Sequence, residues 1–385
     1  MKKLLLSVSL LAVASLFGVT AADVENYRKA AERGDAKAQY ELGMCYIKGS
    51  GVVKNRHKAE PWFRKSADQG YAPAQFRYGN FCMLKRGKFR KVAVGLYQKS
   101  ADQGYAPAQY VLGNCYKNGN GISKDLVKAA YWYRKAADQG YEPAQFDLGT
   151  CYVNGIGVSK DGRQAAYWYQ KAANQGHAEA QSKLGDFYFT GTGVIKDIQK
   201  AVFWWSKAGE QGILEAQFNL GEYYSNGKHT AKDMKQAVYW YQKAAKISSL
   251  PQYTLTAEAQ SALRAQAQYI LAMCYKNGEG VAKDMTQAAQ WFGEAAQSRH
   301  VEASYNFALC AFNGIGKKKN YRTAFSYFQR AASGKHNQAQ YYCGLCCLNG
   351  LGVRKDKNKA VYWFKKSAKQ GNAEAKEALK KLGIQ

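Results

Sequence analysis

One phrase returns along the chain at a nearly constant interval. "SADQGYAPAQF" runs from Ser66 to Phe76, "SADQGYAPAQY" from Ser100 to Tyr110, and "AADQGYEPAQF" from Ala136 to Phe146. A catalytic loop is needed once, whereas a phrase at a fixed period is typical of small units that stack into a repeat protein. Counted from the residue after each linker, the units begin at Asp35, Tyr71, Tyr105, Tyr141, His177, Ile213, Arg264, His300 and His336.

Each unit has the pattern of two helices joined by a glycine turn. In the unit 141–176, Pro143 falls where a first helix begins, and "NGIG" interrupts that helix. Asp161 is placed to cap a second helix, and Trp168 belongs to its apolar face. Seven of the eight tryptophans share the position of Trp168, which fixes the register. The pattern predicts an all-α fold, an α-solenoid of about nine αα-hairpins.

A small residue follows the leucine position of every first helix. It is Gly43, Gly79, Gly113, Gly149, Gly185, Gly221, Ala272, Ala308 and Gly344. Glycine inside a helix costs about 1 kcal/mol relative to alanine. Its recurrence predicts that the two helices of a hairpin cross too closely for a larger side chain.

The remaining segments complete the predicted domain plan. Residues 1–22 have two lysines, an apolar run and small residues, as a secretory signal peptide does, with cleavage near Ala21 or Ala22. Residues 23–34 form an N-terminal half-repeat. Nine repeats fill 35–371, with an insertion at about 247–263 that includes Pro251, and 372–385 form a C-terminal capping helix.

The unit resembles the Sel-one-like repeat, a relative of the tetratricopeptide repeat. The resemblance rests on stretches such as "AQYVLGNCYKNGNGISKDLVKAAYWYRKAADQG", Ala108 to Gly140, and covers essentially the whole chain after the leader. It implies a right-handed superhelical α-solenoid that acts as an adaptor for protein partners, and it leaves the partner open. Secreted bacterial members resemble interaction proteins of the envelope or of host contact.

The net charge and the predicted signal peptide, or leader, together limit the classes of partner that we expect. The chain has 56 Lys and Arg against 28 Asp and Glu, a formal charge of +28, which favours anionic partners. Export to the periplasm or beyond argues against nucleic acid, and no segment after the leader is long enough to span a membrane. An anionic envelope polymer remains an alternative partner to a protein.

Cysteine and histidine point to packing rather than to chemistry. Six cysteines share one apolar position of the first helix: Cys45, Cys115, Cys151, Cys274, Cys310 and Cys346. We expect buried free thiols, with a disulfide among Cys310, Cys343, Cys346 and Cys347 left open. His177, His300 and His336 share the linker position without a carboxylate at fixed spacing, so we expect no metal and no cofactor.

Catalysis has one weak candidate. Ser225 and Lys228 form a Ser-x-x-Lys pair, but the companion motifs of penicillin-recognising enzymes are missing. Some cysteine-rich relatives carry β-lactamase names, so a hydrolase is kept as the least favoured alternative. We expect no catalytic residue and no enzyme.

Two surfaces are candidate partner sites. Basic clusters lie at Lys85, Arg86, Lys88, Arg90 and Lys91 and at Lys317, Lys318 and Lys319, either as a solvated surface or as an anionic docking patch. The second candidate is a stripe on the first helices, expected to line a concave face, where solenoids bind their partners. Its residues precede the leucine or follow the glycine and vary between units: Arg77, Asn80, Asn114, Asp147, Thr150, Lys183, Asp186, Asn219 and Glu222.

Overall fold

A computed structural model describes residues 19–85, 87–246 and 255–384. Within these ranges the chain forms twenty α-helices and no β-strand. Most of the predicted signal peptide, Arg86 of the basic cluster, and the insertion up to residue 254 with Pro251 lie outside the described residues.

The helices fall into two compact units, residues 1–177 with 192–194, and residues 178–191 with 195–385. The first unit contains α1 (Ala21–Glu32), α2 (Ala36–Lys48), α3 (Arg56–Asp68), α4 (Ala72–Leu84), α5 (Phe89–Asp102), α6 (Ala106–Asn118), α7 (Leu126–Asp138), α8 (Glu142–Asn154) and α9 (Gly162–Asn174). The second contains α10 (Ala178–Thr190), α11 (Ile198–Glu210), α12 (Leu214–Asn226), α13 (Met234–Ala245), α14 (Ala257–Asn277), α15 (Met285–Gln297), α16 (Val301–Asn313), α17 (Tyr321–Ser333), α18 (Asn337–Asn349), α19 (Lys357–Lys369) and α20 (Ala373–Lys381). From α2 to α19, each even-numbered helix and the odd-numbered helix after it form one hairpin. The predicted all-α fold of hairpin repeats is confirmed.

The recurring phrase is the joint between hairpins. Gly104, with a φ of +87°, ends one second helix, and α6 begins two residues later. The buried Gln109 of α6 donates from Nε2 to the Ala101 carbonyl at 3.0 Å. Its Oε1 accepts from Nε2 of Gln139 at the next joint, at 2.7 Å. The two glutamines of the phrase therefore link successive joints through buried backbone and side-chain groups, which explains why both recur.

The close helix crossing is confirmed at the glycines. A β-carbon at Gly113 would lie 2.7 Å from the Tyr133 ring of the partner helix, and Tyr133 is fully buried. The same clash would arise between Gly43 and Phe63 at 2.8 Å. Real β-carbons essentially never approach that closely, so the ring packs directly on the helix backbone.

The insertion and the end of the predicted signal peptide both lie next to or within a described helix. The described end of the insertion, from Ala257, extends the first helix of its repeat, so α14 has 21 residues where α12 has 13. Near the start of the chain, Thr20 caps α1 and exchanges hydrogen bonds with Asp23. Cleavage near Ala21 or Ala22 would fall within the first turn of α1.

Candidate partner-binding surface

The candidate surface is the stripe of residues on the first helices. We call the residue before the leucine the pre-leucine position and the residue after the glycine the post-glycine position. The structure gives many of these side chains a partner inside the protein, and it places five of them in two clefts.

The post-glycine residue contacts the buried aromatic side chain of its own hairpin. Tyr133 Oη donates to Asn114 Oδ1 at 2.6 Å, and Trp205 Nε1 donates to Asp186 Oδ1 at 2.9 Å. Equivalent bonds join Tyr97 to Asn80 at 2.8 Å, Tyr169 with Thr150 at 3.2 Å, and Tyr241 to Glu222 at 2.6 Å. A buried hydroxyl or indole N–H needs such a partner, so the polar residue completes the core.

Hairpins with a buried phenylalanine have an apolar residue at the post-glycine position. The pairs are Met44 with Phe63, Met273 with Phe292, Leu309 with Phe328, and Leu345 with Phe364. All nine hairpins follow this rule. The residue type at the post-glycine position therefore depends first on the buried aromatic side chain that it contacts, and only then on any ligand. The sequence shows this pairing only when the post-glycine residue is compared with the aromatic residue of the second helix, and the pairing was not predicted.

Pre-leucine residues form links between neighbouring first helices. Asp147 accepts from Tyr110 Oη at 2.8 Å, and Lys183 pairs with Glu215 at 3.1 Å. Asn219 Nδ2 donates to Asp186 Oδ1 at 3.1 Å. These contacts hold polar side chains in fixed positions on the surface of each unit.

A cleft of about 360 Å³ opens between α10 and α12 in the second unit. It brings three predicted stripe residues together: Asp186, Asn219 and Glu222. The other lining residues are Phe189, Thr190, Trp205, Tyr223, Asn226 and His229. The cleft therefore combines aromatic walls with two carboxylates, an arrangement suited to a side chain with an apolar stem and a polar or cationic end.

Asp186 is the electrostatically unusual residue of this cleft. Burial raises its pKa to about 6, against the opposing effects of Lys183, 3.9 Å away, and of the Trp205 hydrogen bond. Lys196 lies above the Phe189 ring, at 5.8 Å from its centroid. The charge of the cleft therefore changes in the mildly acidic range.

A second cleft, of about 280 Å³, lies in the first unit between α2 and α4. It is built from equivalent positions, because Arg77, Asn80 and Phe63 stand where the other cleft has Asn219, Glu222 and Trp205. Ile47, Lys54, Arg56 and Phe81 complete it. The same place in the repeat, between two neighbouring first helices, thus forms two clefts of different charge. The remaining predicted stripe residues, Asn114, Asp147, Thr150 and Lys183, do not line either of these clefts.

The predicted basic clusters differ in exposure. Lys88, Arg90 and Lys91 are exposed in the shortened repeat, while Lys85 pairs with Glu60 at 2.6 Å. Lys318 and Lys319 are exposed, but Lys317 lies 3.9 Å from the Phe307 ring centroid, and burial lowers its pKa.

The cysteines and histidines serve packing. All nine cysteines are free and buried, including Cys310, Cys343, Cys346 and Cys347. His177, His300 and His336 each stack on an aromatic ring of the preceding first helix, at centroid distances of 4.4, 4.8 and 4.2 Å. Among the described residues no group of three His, Cys, Asp or Glu side chains is arranged to hold a metal ion. Ser225 Oγ lies near the Glu222 carbonyl and Tyr241 Oη, each at 3.2 Å.

None of the helices that the structure describes is both long and apolar enough to cross a bilayer.

Comparison with known proteins identifies relatives over most of the chain. A Sel1 repeat protein from Oxalobacter formigenes is 30% identical, with a TM-score of 0.59 and coverage of 88% of this chain and 93% of that one. A protective antigen of uropathogenic Escherichia coli displaying an SLR fold is 31% identical, with a TM-score of 0.51 and coverage of 94% and 84%.

Matches to curated sequences are shorter. The secretory immunoglobulin A-binding protein of Escherichia coli is 41% identical over 69 residues, 17% of this chain and 14% of the relative. The chain spans at most 14% of the length of the curated relatives it matches.

The Sel1 repeat itself matches nearly all described residues. The matched segments are 24–35, 36–71, 72–105, 106–141, 142–177, 178–213, 214–248, 265–300, 301–336 and 337–372. Sel1-repeat proteins are protein-interaction scaffolds and are generally non-catalytic. With ten repeats matched and solved relatives sharing the fold, the chain belongs to the Sel1-repeat family.

Proposed function

We propose that this protein is an exported scaffold that binds a protein partner along its first helices, in the bacterial envelope or at host contact. The observation that carries the proposal is the second-unit cleft, where Asp186, Asn219 and Glu222 meet the aromatic side chains Phe189 and Trp205. Protein interfaces gain most of their binding energy where a few anchor side chains fill such a pocket.

Export is the second part of the proposal. It is supported by the signal-peptide pattern of residues 1–22 and by similarity to an immunoglobulin-binding protein and a protective antigen. Those names describe the relatives, and neither partner is assigned to this chain.

Affinity capture with a steric block tests the proposal. Thr190 is exposed at the edge of the cleft, so Thr190→Trp would fill the space without removing a core side chain. Asn118→Trp is the matched control, because Asn118 is exposed at the equivalent end of α6. Tagged chains would be incubated with envelope and extracellular fractions and washed at low and high salt.

We expect one defined protein to be retained at high salt by the native chain and by Asn118→Trp, and to be lost with Thr190→Trp. Retention of a mixed anionic pool at low salt only would refute the scaffold proposal, because exposed charges are screened beyond about 8 Å at physiological ionic strength.

A further inference from the structure

The first-unit cleft has a charge that its fold does not require. Of its lining residues, Lys54, Arg56 and Arg77 are cationic and none is acidic. Arg56 lies over the Phe81 ring, 4.7 Å from the centroid, so its guanidinium is held at the cleft. The second-unit cleft has Asn219 at the position of Arg77, which shows that a cleft forms at this place in the repeat without this cation.

Arg77 is incompletely satisfied inside the protein. Its Nε is buried without a hydrogen-bond partner, although most buried polar atoms have one. Its side chain lies near the Phe76 ring, 5.9 Å from the centroid, which supplies no hydrogen-bond acceptor of ordinary strength. An anion at this guanidinium would lower the cost of holding the charge in a half-buried position.

Two carboxylates of α3 pair with cations other than Arg77. Glu60 of α3 pairs with Lys85 at 2.6 Å, and Asp68 lies 3.8 Å from Arg64. Directly after α4, the chain adds the exposed cations Lys88, Arg90 and Lys91. The surplus positive charge therefore continues from the cleft onto the adjacent turn.

We propose that the first-unit cleft binds the carboxylate of a glutamate in an acidic segment of the protein partner. The step rests on the proposed scaffold function and adds the chemistry of the partner. A guanidinium presents two parallel N–H donors that match a carboxylate. Phe63, Phe81 and Ile47 supply apolar walls for the methylene groups of a glutamate side chain, which inorganic phosphate lacks.

The test is fluorescence anisotropy of the purified chain with a labelled hexaglutamate peptide at 150 mM salt. We expect saturable binding, weakened about tenfold by Arg77→Met, since one charge-assisted pair in a partly screened cleft is of that order. Arg56→Met changes an exposed residue that contacts only the Phe81 ring of the core, and it is expected to weaken binding severalfold. Lys365→Met removes one exposed charge elsewhere and should change affinity less than twofold.

Three results would overturn the inference. They are equal losses for Arg77→Met and Lys365→Met, equal binding of a hexaglutamine peptide, or displacement of the peptide by tripolyphosphate at lower concentration than by unlabelled hexaglutamate. The two proposals fail separately. If Thr190→Trp abolishes capture of a partner while hexaglutamate does not bind, only the carboxylate site is wrong. If hexaglutamate binds at Arg77 and no protein is captured at high salt, the scaffold function is wrong.

Discussion

The matching of post-glycine residue and buried aromatic gives the sharpest stability prediction. Asn114→Leu leaves Tyr133 Oη without the acceptor that lies 2.6 Å away, in a side chain that is 0% exposed. A buried hydroxyl without a partner costs about 1–3 kcal/mol, so we expect the free energy of unfolding to fall by that amount. Tyr133→Phe removes the donor and leaves a half-buried amide, for which we expect a loss of about 0.5–1.5 kcal/mol.

The double variant recreates a pair that the chain already uses. Leu beside Phe occurs at Leu345 and Phe364, so Asn114→Leu with Tyr133→Phe should be more stable than the sum of the single losses predicts, by about 1 kcal/mol or more. Urea unfolding followed by circular dichroism measures each variant. Asn118→Leu, an exposed change on the same helix, should stay within about 0.5 kcal/mol of the native chain. Strict additivity of the two single losses would refute the pairing rule.

Three further outcomes are expected. Gly113→Val should lower the thermal midpoint by several degrees in a melting experiment, because even its β-carbon would lie 2.7 Å from the Tyr133 ring; an unchanged midpoint would contradict the close crossing. For Asp186→Asn, the stability difference (variant minus native) should increase by roughly 1–2 kcal/mol from pH 4 to pH 7. The native carboxyl ionises near pH 6 when folded but near pH 4 when unfolded, so ionisation destabilises the native fold as pH rises through that window, and partial exposure reduces the effect. Urea titrations at both pH values measure it, and a constant difference would exclude a raised pKa. The nine thiols should react with a thiol reagent only after unfolding, because all are buried and burial raises the pKa of Cys151 and Cys274 to about 11; fast reaction of the native chain would contradict this.

Much of the fold could be read from periodicity. Helix starts and ends depend on residues within one turn, so Asp161 predicted the cap that its carboxylate forms with the backbone N–H groups of Arg163 and Gln164. Recurring glycines predicted a close crossing because only a packing constraint explains their cost. The buried face of each helix followed from apolar spacing, as Leu148 and Cys151 show.

The site was predicted only in part. Sequence position identified a stripe, and five of its residues line the two clefts. Sequence position did not separate those residues from Asn114 and Thr150, which bond the buried Tyr133 and Tyr169 but line neither cleft. The cleft residues Asp186 and Glu222 make the same kind of bond, to Trp205 and Tyr241, so the distinction depends on where space opens between neighbouring first helices.

What the sequence by itself determined is the repeating hairpin, because caps, turns and apolar faces are set by neighbours along the chain. The tertiary structure decided which pairs of neighbouring first helices enclose a cleft and which charges face that cleft. Arg77 and Asn219 occupy the same position of the repeat, yet one faces Lys54 and Arg56 in its cleft while the other bonds Asp186. Each cleft combines side chains from two successive repeats that stacking brings together. The 36-residue period alone therefore does not show which side chains surround a given position.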